Sequence, residues 1–197
     1  MDSFEQMTGR SSTKATHMGF NLQNLNSVSS CAMGNGGGAD SSLELHSLSP
    51  KSQLEDYEVT RQVGSGAMAV VKLATHKNSR CRVAMKMYEK TRLNEPHKMK
   101  AVQNEISILR RLKHTNVVKI FDVIEDKRHI ILVMEYASGN SLFTHLRNRT
   151  NKKLPEENAK RVFKQIVDAV RYLHVKQVAH RDLKLENIIL GTYENAP

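Results

Sequence analysis

The stretch from His180 to Asn187 places three chemically useful side chains within one short loop. Asp182 can accept a proton from a hydroxyl group, and Lys184 can neutralise charge on an anionic group that is being transferred. Asn187 can ligate Mg²⁺ through its amide oxygen, because magnesium prefers oxygen ligands. A proton acceptor, a cation and a metal ligand at this spacing suit the transfer of a phosphoryl group.

Two features upstream could hold the phosphates of a ligand. The segment Gly64-Ser65-Gly66-Ala67 contains glycines, whose backbone N–H groups can approach phosphate oxygens without a Cβ in the way. Lys86 ends a short apolar run, and Glu105 lies on or near the apolar face of the next predicted helix. Because an unpaired charge at either position is costly, we predict an ion pair between them. On these residues alone, a plain hairpin turn and two separately solvated charges remain open interpretations.

The elements that must position these residues are predicted from periodicity and turn signals. Three β-rich runs at residues 57–60, 70–74 and 81–87, and two more at 116–121 and 130–134, predict a sheet of five strands. A helix between the two groups is indicated by residues that recur at spacings of three and four: Met99, Val102, Ile106, Leu109 and Leu112.

Helices are predicted for the rest of the chain. A short helix covers about residues 141–147, and a longer one begins at Pro155, with acidic residues in its first turn. We expect its apolar face to be exposed in this chain. The apolar stripe of this long helix consists of Ala159, Val162, Phe163, Ile166, Val167, Val170 and Leu173.

Residues 1–53 differ in composition from the rest of the chain. They are rich in Ser, Gly and Asn and have almost no periodic apolar residues. Such a segment cannot bury enough apolar surface to offset its conformational entropy, so we predict a disordered leader. The folded part then covers residues 54–197.

The chain has a formal net charge of +10 at pH 7, and this charge is unevenly distributed. Residues 1–50 contain two basic and four acidic residues, so the remainder carries a net charge of +12. A basic region of this size can attract nucleic acid or anionic lipid. No aromatic-rich RNA-binding motif accompanies it, so a nucleic-acid partner is disfavoured.

Membrane insertion and disulfide bonding are not expected. No apolar run approaches the roughly 18 residues that a membrane-spanning helix needs, and the first residues do not resemble a signal peptide. Cys31 and Cys81 are far apart, in segments of different character, and are expected to be free thiols. We therefore expect an intracellular protein of the cytoplasm, with the nucleus as the alternative and no membrane partner.

The order of these motifs resembles that of a known family. A glycine loop, a Val-Ala-x-Lys strand, a helix glutamate and the pattern His-Arg-Asp-x-Lys-x-x-Asn follow one another as in eukaryotic protein kinases. The chain is most similar to the calcium/calmodulin-dependent and AMP-activated-like group of serine/threonine kinases. The resemblance covers about residues 54–197 and implies ATP and Mg²⁺ as cofactors and proteins as substrates.

The resemblance implies an α+β, protein-kinase-like fold. Its N-lobe, at about residues 54–135, would contain a five-stranded antiparallel sheet and one helix. Residues from about 140 to 197 would form the start of a helical C-lobe. In this fold Asp182 would be the catalytic base, Lys184 the charge-neutralising residue and Asn187 the metal ligand.

The resemblance also implies a set of nucleotide contacts. Lys86, held by Glu105, would contact the α- and β-phosphates, and Met134 would be the gatekeeper of the adenine pocket. Val71 and Ala84 would cover the adenine from above, with Ile189 below. The glycine loop and the segment between the lobes would supply the remaining nucleotide-binding positions: Gly64, Ser65, Gly66, Ala67, Glu135, Ala137 and Ser141.

Three residues of the loop at 180–187 carry further implications of the resemblance. Lys184 favours serine/threonine over tyrosine substrates, and Glu186 resembles the acidic residue that reads a basic residue upstream of the phosphorylation site. Arg181 suggests regulation by phosphorylation of an activation loop, because that arginine commonly pairs with the added phosphate.

The chain also departs from the family pattern. Met68 stands at the loop tip in place of an aromatic residue, and Ser141 stands where many relatives have a ribose-binding glutamate. Neither an Asp-Phe-Gly nor an Ala-Pro-Glu segment occurs in the chain. We expect this chain to be inactive by itself, because the principal acidic metal ligand lies in the Asp-Phe-Gly segment. The alternatives are a truncated kinase fragment and a non-catalytic, nucleotide-binding scaffold.

Overall fold

The computed structural model describes residues 20–22, 52–66 and 68–191. Most of the predicted leader, and Ala67 of the glycine loop, fall outside these residues. The described part contains the predicted strands and helices, with three short 3-10 turns at Leu54–Asp56, Lys90–Leu93 and Leu185–Asn187. The prediction of an α+β fold is confirmed.

The strands and helices follow one another in the order expected for a sheet lobe and the start of a helical lobe. The strands are β1 (Phe20–Leu22), β2 (Tyr57–Ser65), β3 (Ala69–His76), β4 (Arg82–Glu89), β5 (Ile120–Glu125), β6 (His129–Glu135) and β7 (Ile188–Leu190). The helices are α1 (Pro96–Leu109), α2 (Leu142–Arg147) and α3 (Glu156–Val175).

Strands β2 to β6 form one antiparallel sheet in the order β2-β3-β4-β6-β5. Side chains alternate along the central strand β4, so Val83 and Met85 face one cluster of buried residues while Tyr88 faces the other. Ala84 and Lys86 have the same parity as Tyr88 and point to its side of the sheet. That second side is covered by α1, and it is where the candidate site lies.

The prediction of a strand at residues 116–121, which corresponds to β5, is wrong at both ends. The strand runs from Ile120 to Glu125, and Asn116 instead lies in a turn before it. Its side-chain amide donates to the carbonyl of Gln165 in α3, at 3.3 Å. The apolar pair Val117-Val118 therefore packs in the buried turn, although its composition is typical of a strand.

Helix α1 begins at Pro96, which suits a first helical position because proline has no N–H to donate. Four of its residues are buried against the sheet: Val102, Glu105, Ile108 and Leu109. Ile108 was absent from the predicted stripe, whereas Ile106, which belonged to it, is only half-buried. The helix therefore presents a charged residue, Glu105, among apolar ones.

Helix α3 buries only part of its predicted apolar stripe. Leu173 is buried, together with Ala169, which was not predicted, whereas Phe163 is 66% exposed and Val167 is 46% exposed. The expected exposure of an apolar face is thus confirmed at these two positions. Within the described ranges no helix is both long and apolar enough to cross a membrane.

The short strand β1 was not anticipated, because residues 1–53 were predicted to lack regular structure. It pairs in parallel with β7, with Phe20 opposite Ile188 and Leu22 opposite Leu190. On the other side of β7, the N–H of Leu190 donates to the carbonyl of Asn140 at 3.0 Å. Strand β7, which follows directly after Asn187, is thus held from both sides.

Removing residues 1–22 is expected to expose the backbone of β7. Because successive residues of a strand direct their N–H groups to opposite sides, the N–H of Ile189 points toward β1. We expect its amide to exchange with deuterium about tenfold faster or more in the shortened chain. The amide of Ile131, in the centre of the other sheet, should exchange at an unchanged rate. An unchanged rate at Ile189 would contradict the pairing.

Candidate functional site

The predicted ion pair between Lys86 and Glu105 is present. Nζ of Lys86 lies 2.6 Å from Oε1 of Glu105, and the two side chains are only 7% and 4% exposed. Strand β4 supplies the lysine, and the buried face of α1 supplies the glutamate. Two charges so far from water stabilise one another where either alone would be costly. The alternative of two separately solvated charges is therefore wrong.

The sheet aligns several predicted nucleotide-binding residues around Lys86. Val71 of β3 is the cross-strand partner of Lys86, and Ala84 is the partner of Met134 on β6. Because Ala84 and Lys86 share one face, these four residues occupy adjacent rows of the sheet. The structure therefore brings together the residues predicted to cover an adenine ring, the predicted gatekeeper and the lysine.

The glycine loop joins β2 to β3. Gly64 pairs with Val71 and Ser65 with Val70, and the N–H of Gly66 donates to the carbonyl of Ala69 at 2.8 Å. Ser65 and Gly66 are exposed at the end of this hairpin. This geometry is compatible with a simple hairpin turn and with a loop that contacts phosphate. The loop lies beside Val71, the cross-strand partner of Lys86, and this position favours contact with phosphate.

A connector without regular secondary structure joins β6 to α2. It contains Ala137, which is half-buried, and Gly139, where a Cβ would overlap the carbonyl oxygen of Leu190. Only glycine permits this close approach of the connector to β7. Glu135, at the end of β6, is tied to the start of β5 because its N–H donates to the carbonyl of Lys119 at 2.8 Å.

Ser141 lies at the end of the connector, in an isolated antiparallel bridge to Ile189. Its Oγ accepts the N–H of Thr144 at 3.2 Å, so this side chain caps the first turn of α2. Ser141 and Ile189, both predicted to bind the nucleotide, are thus neighbours. The hydroxyl of Ser141 therefore has a capping role that was not predicted from the sequence.

Asp182, Lys184 and Asn187 form one cluster. Nζ of Lys184 lies 3.0 Å from Oδ1 of Asp182, and Nδ2 of Asn187 donates to Oδ2 of the same carboxylate at 2.9 Å. The same amide nitrogen donates to the backbone carbonyl of Asp182 at 2.7 Å. The side chain of Asp182 is 28% exposed and that of Lys184 is 46% exposed, so a substrate can reach both.

The backbone around this cluster is held in an uncommon conformation. Arg181 has a φ of 62°, in the left-handed region that costs a non-glycine residue free energy. The buried His180 fixes the position of Asp182, because Nδ1 of His180 accepts the N–H of Asp182 at 3.2 Å. The loop is therefore set by its own hydrogen bonds before any ligand binds.

The donor set of this cluster fits Mg²⁺. The amide nitrogen of Asn187 is engaged by Asp182, which leaves the amide oxygen directed away from that carboxylate and available as a ligand. An amide oxygen beside a carboxylate suits a hard cation. Among the described residues, however, no group of three or more His, Cys, Asp or Glu side chains is arranged to hold a metal ion.

Tyr88 is a residue of the site that was not predicted from the sequence. Its hydroxyl donates to Oε2 of Glu105 at 2.7 Å, and its side chain is buried on the same face of β4 as Lys86. Burial, reinforced by the negative charge of Glu105, raises the pKa of Tyr88 above its ordinary value. The sequence could have indicated this residue, because Tyr88 follows Lys86 by two positions and residues two apart on a strand lie on the same face of the sheet.

Comparison with known proteins gives one family for this chain. The family model described as the protein kinase domain matches residues 57–196. The chain belongs to the protein kinase domain family. This membership agrees with the five-stranded sheet, the buried lysine–glutamate pair and the cluster at Asp182, and it confirms the resemblance stated above.

Curated members of the kinase family are similar to this chain over most of its length. The chain is 41% identical over 141 residues to the serine/threonine-protein kinase SIK3 homolog of Danio rerio, covering 72% of this chain and 12% of that protein. It is 40% identical over 152 residues to the carbon catabolite-derepressing protein kinase of Saccharomyces cerevisiae, covering 74% and 24%. The matched part is therefore a quarter or less of the length of these two kinases.

Proposed function

We propose that this site binds ATP with Mg²⁺ and serves the phosphorylation of serine or threonine in proteins. The observation that carries the proposal is the cluster of Asp182, Lys184 and Asn187, in which a base, a cation and a metal ligand converge. The name of the similar serine/threonine-protein kinase SIK3 homolog supports serine and threonine as the phosphorylated residues. The partial exposure of the Asp182 side chain supports access by a protein substrate.

The proposed roles follow from the chemistry of each group. The carboxylate of Asp182 would accept the proton of the substrate hydroxyl while that oxygen bonds to the γ-phosphorus and the bond to the bridging oxygen breaks. ADP leaves with the electrons of that bond. Lys184 would neutralise charge on the transferred group, and Lys86 would hold the α- and β-phosphates. Mg²⁺, bound with Asn187 as a ligand, would supply further charge neutralisation.

We propose a preference for substrates with a basic residue near the phosphorylation site. Glu186 is exposed beside the cluster, and an exposed carboxylate at this point can attract an arginine or lysine of a bound peptide. Lys184, in the place that the family pattern associates with serine/threonine kinases, supports an alcohol rather than a phenol as the acceptor.

Titration of the purified chain with ATP tests the binding half of this proposal. We expect binding that requires Mg²⁺, with a dissociation constant between about 1 µM and 1 mM, the range in which enzymes usually hold their substrates. Calorimetry with and without Mg²⁺ measures it. No binding of Mg²⁺ and ATP by the folded chain would contradict the proposed site.

The acceptor class is tested with γ-labelled ATP and three peptides that differ only in carrying serine, threonine or tyrosine. We expect label on serine and threonine. This chain alone is expected to transfer no label, because its sequence contains no Asp-Phe-Gly carboxylate for the metal, so the assay uses a chain extended by that segment. A second peptide set without basic residues controls for the role of Glu186. Label on tyrosine alone would contradict the serine/threonine assignment.

A further inference from the structure

The ion pair of the candidate site has a third member, Tyr88. Two donors reach the Glu105 carboxylate from the same strand: Nζ of Lys86 at 2.6 Å on Oε1 and the hydroxyl of Tyr88 at 2.7 Å on Oε2. Lys86 is 6% exposed, Glu105 3% and Tyr88 2%, so water does not compete for these bonds. A bond to each oxygen fixes the plane of the carboxylate, whereas one bond alone would leave it free to turn.

Tyr88 also contacts the lysine. Nζ of Lys86 lies 5.2 Å from the centroid of the Tyr88 ring, within the distance at which a cation is attracted to an aromatic face. The tyrosine thus restricts both members of the pair, one through its hydroxyl and the other through its ring. Because the hydroxyl is neutral, it holds Glu105 without placing a second cation beside Lys86.

We propose that Tyr88 is a positioning residue, which holds Glu105 so that the ammonium of Lys86 stays where it meets the phosphates of a bound adenine nucleotide. This inference rests on the proposed function, since it supposes that Lys86 contacts phosphate. Burial and the charge of Glu105 raise the pKa of Tyr88, so its hydroxyl remains a donor well above physiological pH as well as within it. The position is not one to which the kinase motifs discussed above assign a role.

The substitution Tyr88→Phe tests this role, since it removes the hydroxyl and keeps the ring. We expect the affinity of the full chain for Mg²⁺-bound ADP to fall about tenfold, while its affinity for adenosine changes less than about twofold. Adenosine has no phosphates, so it does not report on Lys86. Calorimetric titration with the two ligands gives the ratio of affinities, which a loss of packing alone would leave unchanged.

Two further variants make the comparison specific. Tyr57→Phe removes the hydroxyl of another buried tyrosine, which packs in the cluster on the opposite side of the sheet, and should change neither affinity. In a Glu105→Gln background, Tyr88→Phe should have much less effect on ADP than in the unmodified chain, because the two residues act through one contact.

Each outcome of these titrations decides the matter. An ADP-to-adenosine affinity ratio that is the same in Tyr88→Phe and the unmodified chain would overturn the positioning role while leaving the proposed function intact. A Tyr88→Phe chain that does not fold would also overturn it, because the hydroxyl would then serve stability. If the unmodified chain binds adenosine and ADP equally, or neither, both this inference and the proposed function fail.

Discussion

Replacing Lys86 by methionine is expected to lower the affinity of the chain for Mg²⁺-bound ATP by about a hundredfold, equivalent to roughly 2.7 kcal/mol. Methionine has nearly the length of lysine but no charge, so the phosphates lose their cation while the strand keeps most of its packing. Glu105 also loses its counter-charge, so the variant is expected to be less stable, and the titration is made where it is folded. The effect is large because Lys86 is 6% exposed, and a charge contact formed away from water is weakly screened. Titration calorimetry with ATP at fixed Mg²⁺ measures the change.

The matched control for this substitution is Lys90→Met. Lys90 also forms an ion pair of similar length, 2.7 Å between its Nζ and Oε1 of Glu125, but this pair lies at the surface. We expect ATP affinity to change less than about twofold, since exposed pairs contribute little and Lys90 is not part of the site. Equal losses in the two variants would show that overall positive charge, rather than Lys86, attracts the nucleotide.

The part of the site that could be predicted from the sequence is the part governed by short-range spacing or by the cost of burying charge. Asp182, Lys184 and Asn187 lie within six residues, so their convergence depends on one loop. Lys86 and Glu105 are 19 residues apart, yet each lies on an apolar face where an unpaired charge is costly. That cost makes the partner predictable without any knowledge of the distance between the two elements.

The parts that were missed depend on contacts between distant segments. The start of β5 is delayed because Asn116 binds a carbonyl 49 residues away in α3, and nothing in residues 116–121 records that bond. Strand β1 pairs with a segment more than 160 residues later in the chain. Tyr88 is an intermediate case, because alternation gave the side of the sheet it faces but not which carboxylate its hydroxyl would reach.

Replacing Glu105 by leucine is expected to destabilise the fold by about 3–5 kcal/mol, because it leaves the ammonium of Lys86 buried without its counter-charge. Leucine suits a helix interior and the apolar neighbours of this position, so lost helix propensity does not account for the cost. The free energy of unfolding in urea measures it. Glu125→Leu, which breaks the exposed pair with Lys90, should change that free energy by less than about 1 kcal/mol.

Removing the lysine as well distinguishes a buried charge from lost packing. In Lys86→Met/Glu105→Leu no charge remains in the pair, and we expect most of the lost stability to return, since a buried ion pair is often replaceable by apolar residues. As in Glu105→Leu itself, the hydroxyl of Tyr88 is left without its acceptor, at a cost of about 1–3 kcal/mol, which Tyr88→Phe in the same chain should remove. The triple variant should be stable, since no buried charge or hydroxyl is left without a partner. It should still bind ATP as weakly as Lys86→Met, because it also lacks Lys86. If the double variant is no more stable than Glu105→Leu, the pair is held by shape and not by charge.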